Sequence, residues 1–492
     1  MSDGTVKRKP GSGKGLKGSV LLLISKLWFV ITGYGIYFGL NRILGVEDFG
    51  RYGLVVGAVT IVNMCFIKGT LQAVSKFVSE DPSRSAAVRH EALRVQFWLG
   101  GGSFIVFFLA APLIADLLRA PEITSALRFA SLIILFYSFY AVFMGVLNGE
   151  KQFTRQAFFD ISYSTLKLIL LLALASLFHL EGAIIGFASA ALLVLIGSAT
   201  AVGFRRPAAS FARSRIIRFC LPVMALTLVI HLIMHLDLFM LKRLGEAGKS
   251  ALLAGWYTAD LTVARLPFML VVSALALVIF PFISEATSRR RREQTALYIR
   301  QGMRLTYLVV ILGTALIASS PRAALGLIYR PEFAAGAPAL AWITGGYLFF
   351  SLFMISLIVI SGSGKPQHSL LLSLAVAAAQ FIFLRLLIPA HGILGAAWAS
   401  GTAFAIGALL TGIYLRRRLG AYMKFLSFFR ITVSGIAVFL ISGLVTAQGV
   451  LLPVKYAVLV LIYLVILILL REVGRKDWET VLATLPFGSQ RG

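Results

Sequence analysis

Five basic side chains lie inside long apolar stretches of this chain, where charge is energetically expensive. They are Lys26, Lys68, Lys167, Arg265 and Arg385. A charge at the centre of a bilayer costs from about 2.5 kcal/mol upward, so such residues usually face a protein interior or water. In the same apolar stretches we count only two acids, Asp237 and Asp260. If the five cations line one cavity, that cavity prefers an anion such as a phosphate, a diphosphate or an acidic sugar.

Each basic residue also has a structural interpretation. Lys26 and Lys68 lie toward the ends of their stretches and could extend their amines to the membrane interface. Lys167 lies near the middle of its stretch, where such extension is harder. Arg265 could pair with the aspartate five residues before it, and Arg385 lies nearer the end of its stretch.

Two histidines suggest a different chemistry. His231 and His235 are four residues apart and share one face of a helix. Because histidine titrates near neutral pH, this pair could carry protons in exchange for a passenger, with Asp237 and Asp260 as further candidates for proton or ion coupling. The histidines could equally be hydrogen-bonded core residues. A third ligand at suitable spacing is missing, so the sequence predicts no metal and no cofactor.

The residues above belong to fourteen apolar runs. Each is close to the ~20 residues that a helix needs to cross a bilayer. The runs are 19–41, 49–70, 96–118, 125–148, 157–179, 182–203, 216–242, 253–282, 303–320, 337–361, 367–390, 393–415, 430–447 and 450–470.

The loops between these runs differ sharply in charge. The two tails and every second loop, with the adjoining span edges, hold 32 of the 47 Lys and Arg residues, and the intervening loops hold 10. Basic loops stay in the cytoplasm, so this alternation predicts an even number of spans with both termini cytoplasmic.

Composition excludes several classes of protein. The chain is 59% hydrophobic and 14% charged, with a mean hydropathy of +0.88, which excludes a soluble or disordered protein. Its net charge of +27 comes mostly from basic loops, and the anionic inner leaflet of a membrane attracts such loops. We therefore expect contact with membrane lipids and no nucleic acid. The GSGK strings at 11–14 and 362–365 lack the spacing of an ATP-binding loop, and the two cysteines give no disulfide framework.

A weak internal repeat at an offset of 200–215 residues predicts two six-helix halves. The matches pair NGEKQ (148–152) with SGKPQ (363–367), and GAIIG at Gly182 with GILG at Gly392. Because six is even, the halves share one orientation and would be related by a pseudo-two-fold axis along the membrane normal. We therefore predict an all-α polytopic membrane protein of 14 transmembrane helices. Its parts are a basic tail (1–18), an N-lobe (19–210), a C-lobe (211–420), two extra C-terminal helices (421–471) and a second tail (472–492).

Several local patterns resemble those of Wzx-type oligosaccharide flippases in the multidrug/oligosaccharidyl-lipid/polysaccharide exporter (MOP) superfamily. The patterns are R-x-L-G-x-x-x-F-G-x-Y (42–52), D-x-x-x-L-x-x-L-G (237–245) with A-G-x-Y (254–257), F-P-x-I-S (280–284), Y-x-P-E-F (329–333), S-G-x-G-K-P (361–366) and L-I-P-x-x-G-I-x-G-A-A-W-A (387–399). The resemblance covers nearly the whole chain. It implies two lobes in a V, two additional helices and alternating access to a central cavity.

The resemblance also implies a passenger and a location. The passenger would be an oligosaccharide on an undecaprenyl-type diphosphate, moved across the bacterial cytoplasmic membrane for surface polysaccharide, with a proton or sodium ion and the polymerase machinery as further partners. A flippase for the lipid-linked peptidoglycan precursor and a drug or metabolite exporter stay open as alternatives. An enzyme is not expected, although the acidic pair Glu47 and Asp48 could serve a membrane glycosyltransferase.

Overall fold

The computed structural model describes residues 12–204, 210–246, 248–270, 283 and 291–474 of the chain. Within this part the regular structure is helical and no strand occurs. Three sets of residues lie outside the described part: the second half of the predicted run 253–282, the F-P-x-I-S pattern except Ile283, and most of both tails.

Twelve long helices run through the described residues. They are α1 (Ser12–Ile43), α2 (Val46–Glu80), α3 (Ser85–Leu117), α4 (Thr124–Gly149), α5 (Phe153–Val202), α6 (Arg213–Leu244), α7 (Ser250–Ala264), α8 (Arg292–Ser319), α9 (Ala337–Gly362), α10 (Pro366–Leu419), α11 (Phe425–Leu444) and α12 (Leu451–Leu469). A short helix, Pro321–Gly326, follows α8. Ten segments in the described part, α1 and α7 not among them, are long and apolar enough to span a membrane.

Two of these helices, α5 and α10, are in fact hairpins. Helical geometry breaks at Phe178 and His179 in α5, and at Gly392 in α10, where φ is 48° for His179 and 54° for Gly392. The first break coincides with the last two residues of the predicted run 157–179, and the second falls between the runs 367–390 and 393–415. Each hairpin therefore supplies two of the fourteen predicted spans. The two breaks are 213 residues apart along the chain, within the offset of the predicted repeat.

Glycine allows the arms of each hairpin to approach closely. A Cβ atom added to Gly186 would meet the backbone of Leu170 in the opposite arm, and one added to Gly395 would meet the carbonyl of Leu387. Small residues at such positions let helix backbones touch in a membrane, where packing rather than water exclusion holds helices together. The predicted all-α, polytopic membrane fold is confirmed.

The chain divides into two compact units, Met1–His235 and Leu236–Gly492, with the division inside α6. In unit 1, α1 packs on α5 and α2 packs on α4. Gly145 and Gly149 of α4 lie against Val74 and Val78 of α2, which explains the close fit of that pair. The limits of the N-lobe at residue 210 and of the C-lobe at residue 420 stay a prediction.

In unit 2, α8 is fixed to the last two helices by polar contacts at several levels. The Tyr463 hydroxyl donates to the Leu308 carbonyl at 2.8 Å, and the Tyr307 and Thr432 hydroxyls lie 2.7 Å apart. Ser319 donates to Ser442 at 2.7 Å. The two helices that the sequence placed outside the repeat are therefore tied to unit 2 through α8.

A buried glutamate closes this bundle at one end. Glu472 lies just after α12, its side chain is 3% exposed, and its Oε1 atom is 2.7 Å from Nε of Arg304. Arg430 of α11 approaches the other carboxylate oxygen at 3.8 Å. The carboxylate thus holds two arginines that would otherwise repel each other.

We expect Glu472→Gln to lower the free energy of unfolding by about 1–3 kcal/mol. Breaking a fully buried ion pair costs about 3–5 kcal/mol, and the effect here is smaller because both arginines reach solvent. Thermal unfolding of the purified protein in detergent measures the change. Glu246→Gln, which removes the partner of Lys249 in an exposed pair, is the matched control and should change stability by about 0.5 kcal/mol or less. Equal melting temperatures for the two variants would contradict the role of Glu472.

Candidate functional site

The first cluster of candidate residues lies in unit 1, where Lys26 of α1 meets Asp160 of α5. The Lys26 Nζ atom is 3.2 Å from Oδ2 of Asp160. The lysine side chain is 61% exposed and the aspartate side chain 19%. Trp28 donates to Thr165 at 2.9 Å and holds the same two helices in register. One of the five predicted cations therefore has an acidic partner that the sequence count missed.

Lys68 of α2 lies near this pair. It is close enough to Lys26 for the two amines to repel each other. Its side chain is exposed, and no carboxylate of the described residues lies within salt-bridge distance of it. Asp160 balances one of these two like charges, so the pair of lysines keeps one excess positive charge and favours an anion.

Lys167 lies two helical turns after Asp160 on the same face of α5. Its Nζ atom is 3.6 Å from the centroid of the Phe187 ring, which belongs to the other arm of the α5 hairpin. The lysine is half-buried, and in the described part of the chain it makes no salt bridge. An aromatic face attracts a cation without neutralising it, so the charge of Lys167 stays available to an anion.

Three tyrosines of α4 and α5 pack together near Asp160. The ring centroid of Tyr137 is 5.2 Å from those of both Tyr140 and Tyr163, and the latter two are 6.3 Å apart. Tyr137 and Tyr140 are near enough to feel the charge of Asp160. Tyr140 and Tyr163 are buried, whereas Tyr137 is partly exposed. The aspartate thus lies among aromatic rings with phenolic hydroxyls, a setting that sequence reasoning did not identify.

The second cluster lies in unit 2 around Asp237, which is 1% exposed. Its Oδ2 atom accepts hydrogen bonds from the Tyr257 hydroxyl at 2.9 Å and from Ser400 at 3.4 Å. Gln380 donates in turn to Ser400 at 2.9 Å. This network joins three elements, α6, α7 and α10, and satisfies a carboxylate that would otherwise be costly to bury.

Arg265 stands at the carboxyl end of α7 beside this network. Its Nε atom donates to the Tyr347 hydroxyl at 2.6 Å. Its charge attracts Asp237. The suggested pairing of Arg265 with Asp260 is not among the hydrogen bonds of the described residues, since neither Asp260 oxygen has a partner there.

Asp260 is fully buried in α7. Neither carboxylate oxygen has a hydrogen-bond partner among the described residues. The backbone of Gly336 lies directly against the carboxylate, and a Cβ atom at that position would be 2.6 Å from Oδ2. A side chain larger than hydrogen would not fit there.

The remaining candidates are two histidines of α6 and one arginine of α10. His231 and His235 occupy α6 four residues apart; His235 is buried, His231 is half-buried, and both make polar or electrostatic contacts. Their role in proton coupling stays a prediction. Arg385 is exposed on α10. Within the described ranges, no group of three metal-ligating side chains occurs.

The acidic pair considered for an enzyme is held by one arginine. Arg51 contacts Asp48 at 2.6 Å, Glu47 at 3.8 Å and Glu122 at 3.4 Å. Carboxylates that balance an arginine are occupied as ion-pair partners, which weakens the glycosyltransferase alternative.

The two clusters differ in net charge. In unit 1 one carboxylate, Asp160, pairs with Lys26, and two further lysines lie on α2 and α5. The Asp237 cluster of unit 2 contains one arginine and one carboxylate. Sequence reasoning found the lysines because charge inside an apolar run is conspicuous. It missed Asp160, which lies only three residues inside its run, although the seven-residue spacing to Lys167 places both on one helix face.

Comparison with known proteins gives a family and a fold. Residues 16–287 match the model of a family described as polysaccharide biosynthesis protein. A membrane protein of Methanocaldococcus jannaschii, described as uncharacterized, is 26% identical over 143 residues. That match spans 28% of this chain and 28% of the relative.

Three solved structures share the fold. The lipid II flippase MurJ in an inward closed conformation has a TM-score of 0.74 and 12% identity, over 93% of this chain and 99% of that one. An inward-facing multidrug-resistance MATE transporter of the MOP superfamily has a TM-score of 0.65 and 16% identity, over 82% and 98% of the two chains. A MOP superfamily transporter from Pyrococcus furiosus, described as having a binding pocket of reverse polarity, has a TM-score of 0.62 and 17% identity, over 82% and 96%.

Proposed function

Because this chain belongs to the polysaccharide biosynthesis protein family, we propose that it flips a polyprenyl-diphosphate-linked oligosaccharide across the bacterial cytoplasmic membrane. The family match and the shared fold confirm its resemblance to Wzx-type flippases of the MOP superfamily.

The observation that supports this passenger most strongly is the charge of unit 1. Lys26, Lys68 and Lys167 lie on three segments of one helical unit, and Asp160 is the acid paired with Lys26. Lysine is a common phosphate ligand that acts as a point charge, and a diphosphate offers several oxygens to more than one amine. A cationic drug would instead require an excess of buried acids, so the drug exporter is disfavoured.

In the proposed mechanism the lysines bind the diphosphate while the polyprenyl chain stays in the lipid. Arg265 and Arg385 of unit 2 are further candidates for binding the passenger. Alternating access would then expose the bound headgroup first to the cytoplasm and later to the outer face. The His231–His235 pair, Asp237 and Asp260 are the candidates for coupling transport to a proton or sodium gradient.

The lipid-linked peptidoglycan precursor is the second candidate passenger. It is favoured by the similarity in fold to MurJ, which is a lipid II flippase. Both passengers would present a diphosphate, so the lysines do not separate them.

Deletion of the gene separates the two passengers. For a surface-polysaccharide flippase we expect a viable strain that lacks surface polysaccharide and accumulates lipid-linked oligosaccharide inside. Re-expression of the chain should restore polysaccharide fully, and the readouts are growth and polysaccharide content. A lethal deletion with arrested wall synthesis would assign the peptidoglycan precursor, and unchanged polysaccharide in a viable strain would contradict the proposal.

A further inference from the structure

We propose that Asp160 competes with the passenger's diphosphate for Lys26. In the empty protein the carboxylate would occupy the amine, and the arriving phosphate would displace it. This inference rests on the proposed function, because it concerns how the same lysines bind their anion. It makes Asp160 a positioning residue that sets affinity.

The geometry allows such an exchange. The Lys26 amine is bound to Asp160 at 3.2 Å, yet the lysine side chain is 61% exposed, so a second anion can reach it. The ion pair is also not the only link between its helices. Trp28 donates to Thr165 across the same interface, so α1 and α5 stay joined when the ion pair opens.

The charge balance explains what the exchange would accomplish. Lys68 is near Lys26, and Lys167 lies two turns from Asp160 on α5. In the described part of unit 1, Asp160 is the carboxylate that forms a salt bridge to this lysine cluster. When the site is empty it neutralises one of three positive charges. When the phosphate leaves, the carboxylate can take the amine back, which favours release.

A purely structural role for Asp160 predicts the opposite result. If the ion pair only tied α1 to α5, its removal would loosen the site and weaken anion binding. If the carboxylate competes for Lys26, its removal tightens binding. A gain in affinity therefore distinguishes competition from structural support.

The test measures binding of pyrophosphate to the purified full-length protein by isothermal titration calorimetry. We expect Asp160→Asn to bind pyrophosphate about 3- to 10-fold more tightly than the wild type, a change of about 0.6–1.4 kcal/mol. Asp160→Glu keeps the charge and should bind within about 2-fold of the wild type. Asp81→Asn removes an equal charge from an exposed turn of unit 1 and should also leave affinity within about 2-fold. If Asp160→Asn does not fold, Asp160→Ser is the second neutral variant.

The dependence on Lys26 is measured in a double-variant cycle. Lys26→Ala should weaken binding, and adding Asp160→Asn to it should change affinity by no more than about 2-fold. Equal tightening with and without Lys26 would show simple repulsion of the anion by Asp160 and would overturn the proposal, as would no tightening in either neutral variant. Binding that is weakened by Lys26→Ala but not tightened by Asp160→Asn would refute this inference alone. Wild-type binding that is absent or indifferent to Lys26 would refute the proposed function as well.

Discussion

Replacement of Lys26, Lys68 and Lys167 of unit 1 is expected to abolish transport. With Lys26→Ala, Lys68→Ala and Lys167→Ala combined, complementation of a deletion strain should fall at least 100-fold below that of the wild-type chain. Each lysine can supply a charge-assisted hydrogen bond to phosphate, with a net value of about 1.5–3 kcal/mol. Loss of two or more such bonds exceeds the ~2.8 kcal/mol that correspond to a 100-fold change in affinity.

Folding of this variant should be largely preserved. Lys26 and Lys68 are exposed, and Lys167 contacts an aromatic ring rather than a buried acid. A matched control changes three other exposed lysines and should retain polysaccharide export. The control substitutions are Lys76→Ala, Lys249→Ala and Lys365→Ala. Polysaccharide at wild-type levels in the first variant, at equal membrane abundance, would show that the lysines do not bind the passenger.

Asp237→Ala is expected to have the largest effect in unit 2. The substitution leaves the Tyr257 hydroxyl without its acceptor and removes the acid that stabilises Arg265. Each buried polar group that loses its partner costs about 1–3 kcal/mol. We therefore expect a loss of about 2–5 kcal/mol in the free energy of unfolding, measured as a lower melting temperature and a lower yield of folded protein.

Two variants define what Asp237 contributes. Asp237→Asn keeps a hydrogen-bonding side chain of the same shape and removes the charge, so it should be less destabilising than Asp237→Ala. Asp116→Ala removes an exposed acid of α3 and should change stability by about 0.5 kcal/mol or less. If Asp237→Ala melts at the same temperature as Asp116→Ala, the network around Asp237 does not stabilise unit 2.

Much of the fold could be predicted because bilayer-spanning helices leave a strong pattern in a sequence. Length and apolarity located the spans. The sequence match between the segments at Gly182 and Gly392 marked the second arm of the α5 hairpin and the turn of the α10 hairpin. The breaks themselves could not be predicted residue by residue. His179 adopts a positive φ, which favours glycine, so its residue type gave no sign of the break.

The candidate site could be predicted only in part. Charge inside an apolar run revealed the lysines, Asp237 and Arg265. The partners of these residues come from distant parts of the chain, as Asp160 does for Lys26 and Ser400 for Asp237. No spacing rule connects such pairs, because helix packing brings them together. Tyrosine and serine are also common in apolar helices, so their residue types gave no signal.

The most direct test of the central claim uses proteoliposomes that contain the purified chain and a polyprenyl-diphosphate-linked oligosaccharide. Transbilayer movement of the headgroup is measured for the wild type and for the variant that lacks Lys26, Lys68 and Lys167. We predict movement by the wild type and a loss of at least 100-fold in the variant. Equal movement by the two proteins would contradict binding of a phosphorylated passenger by these lysines.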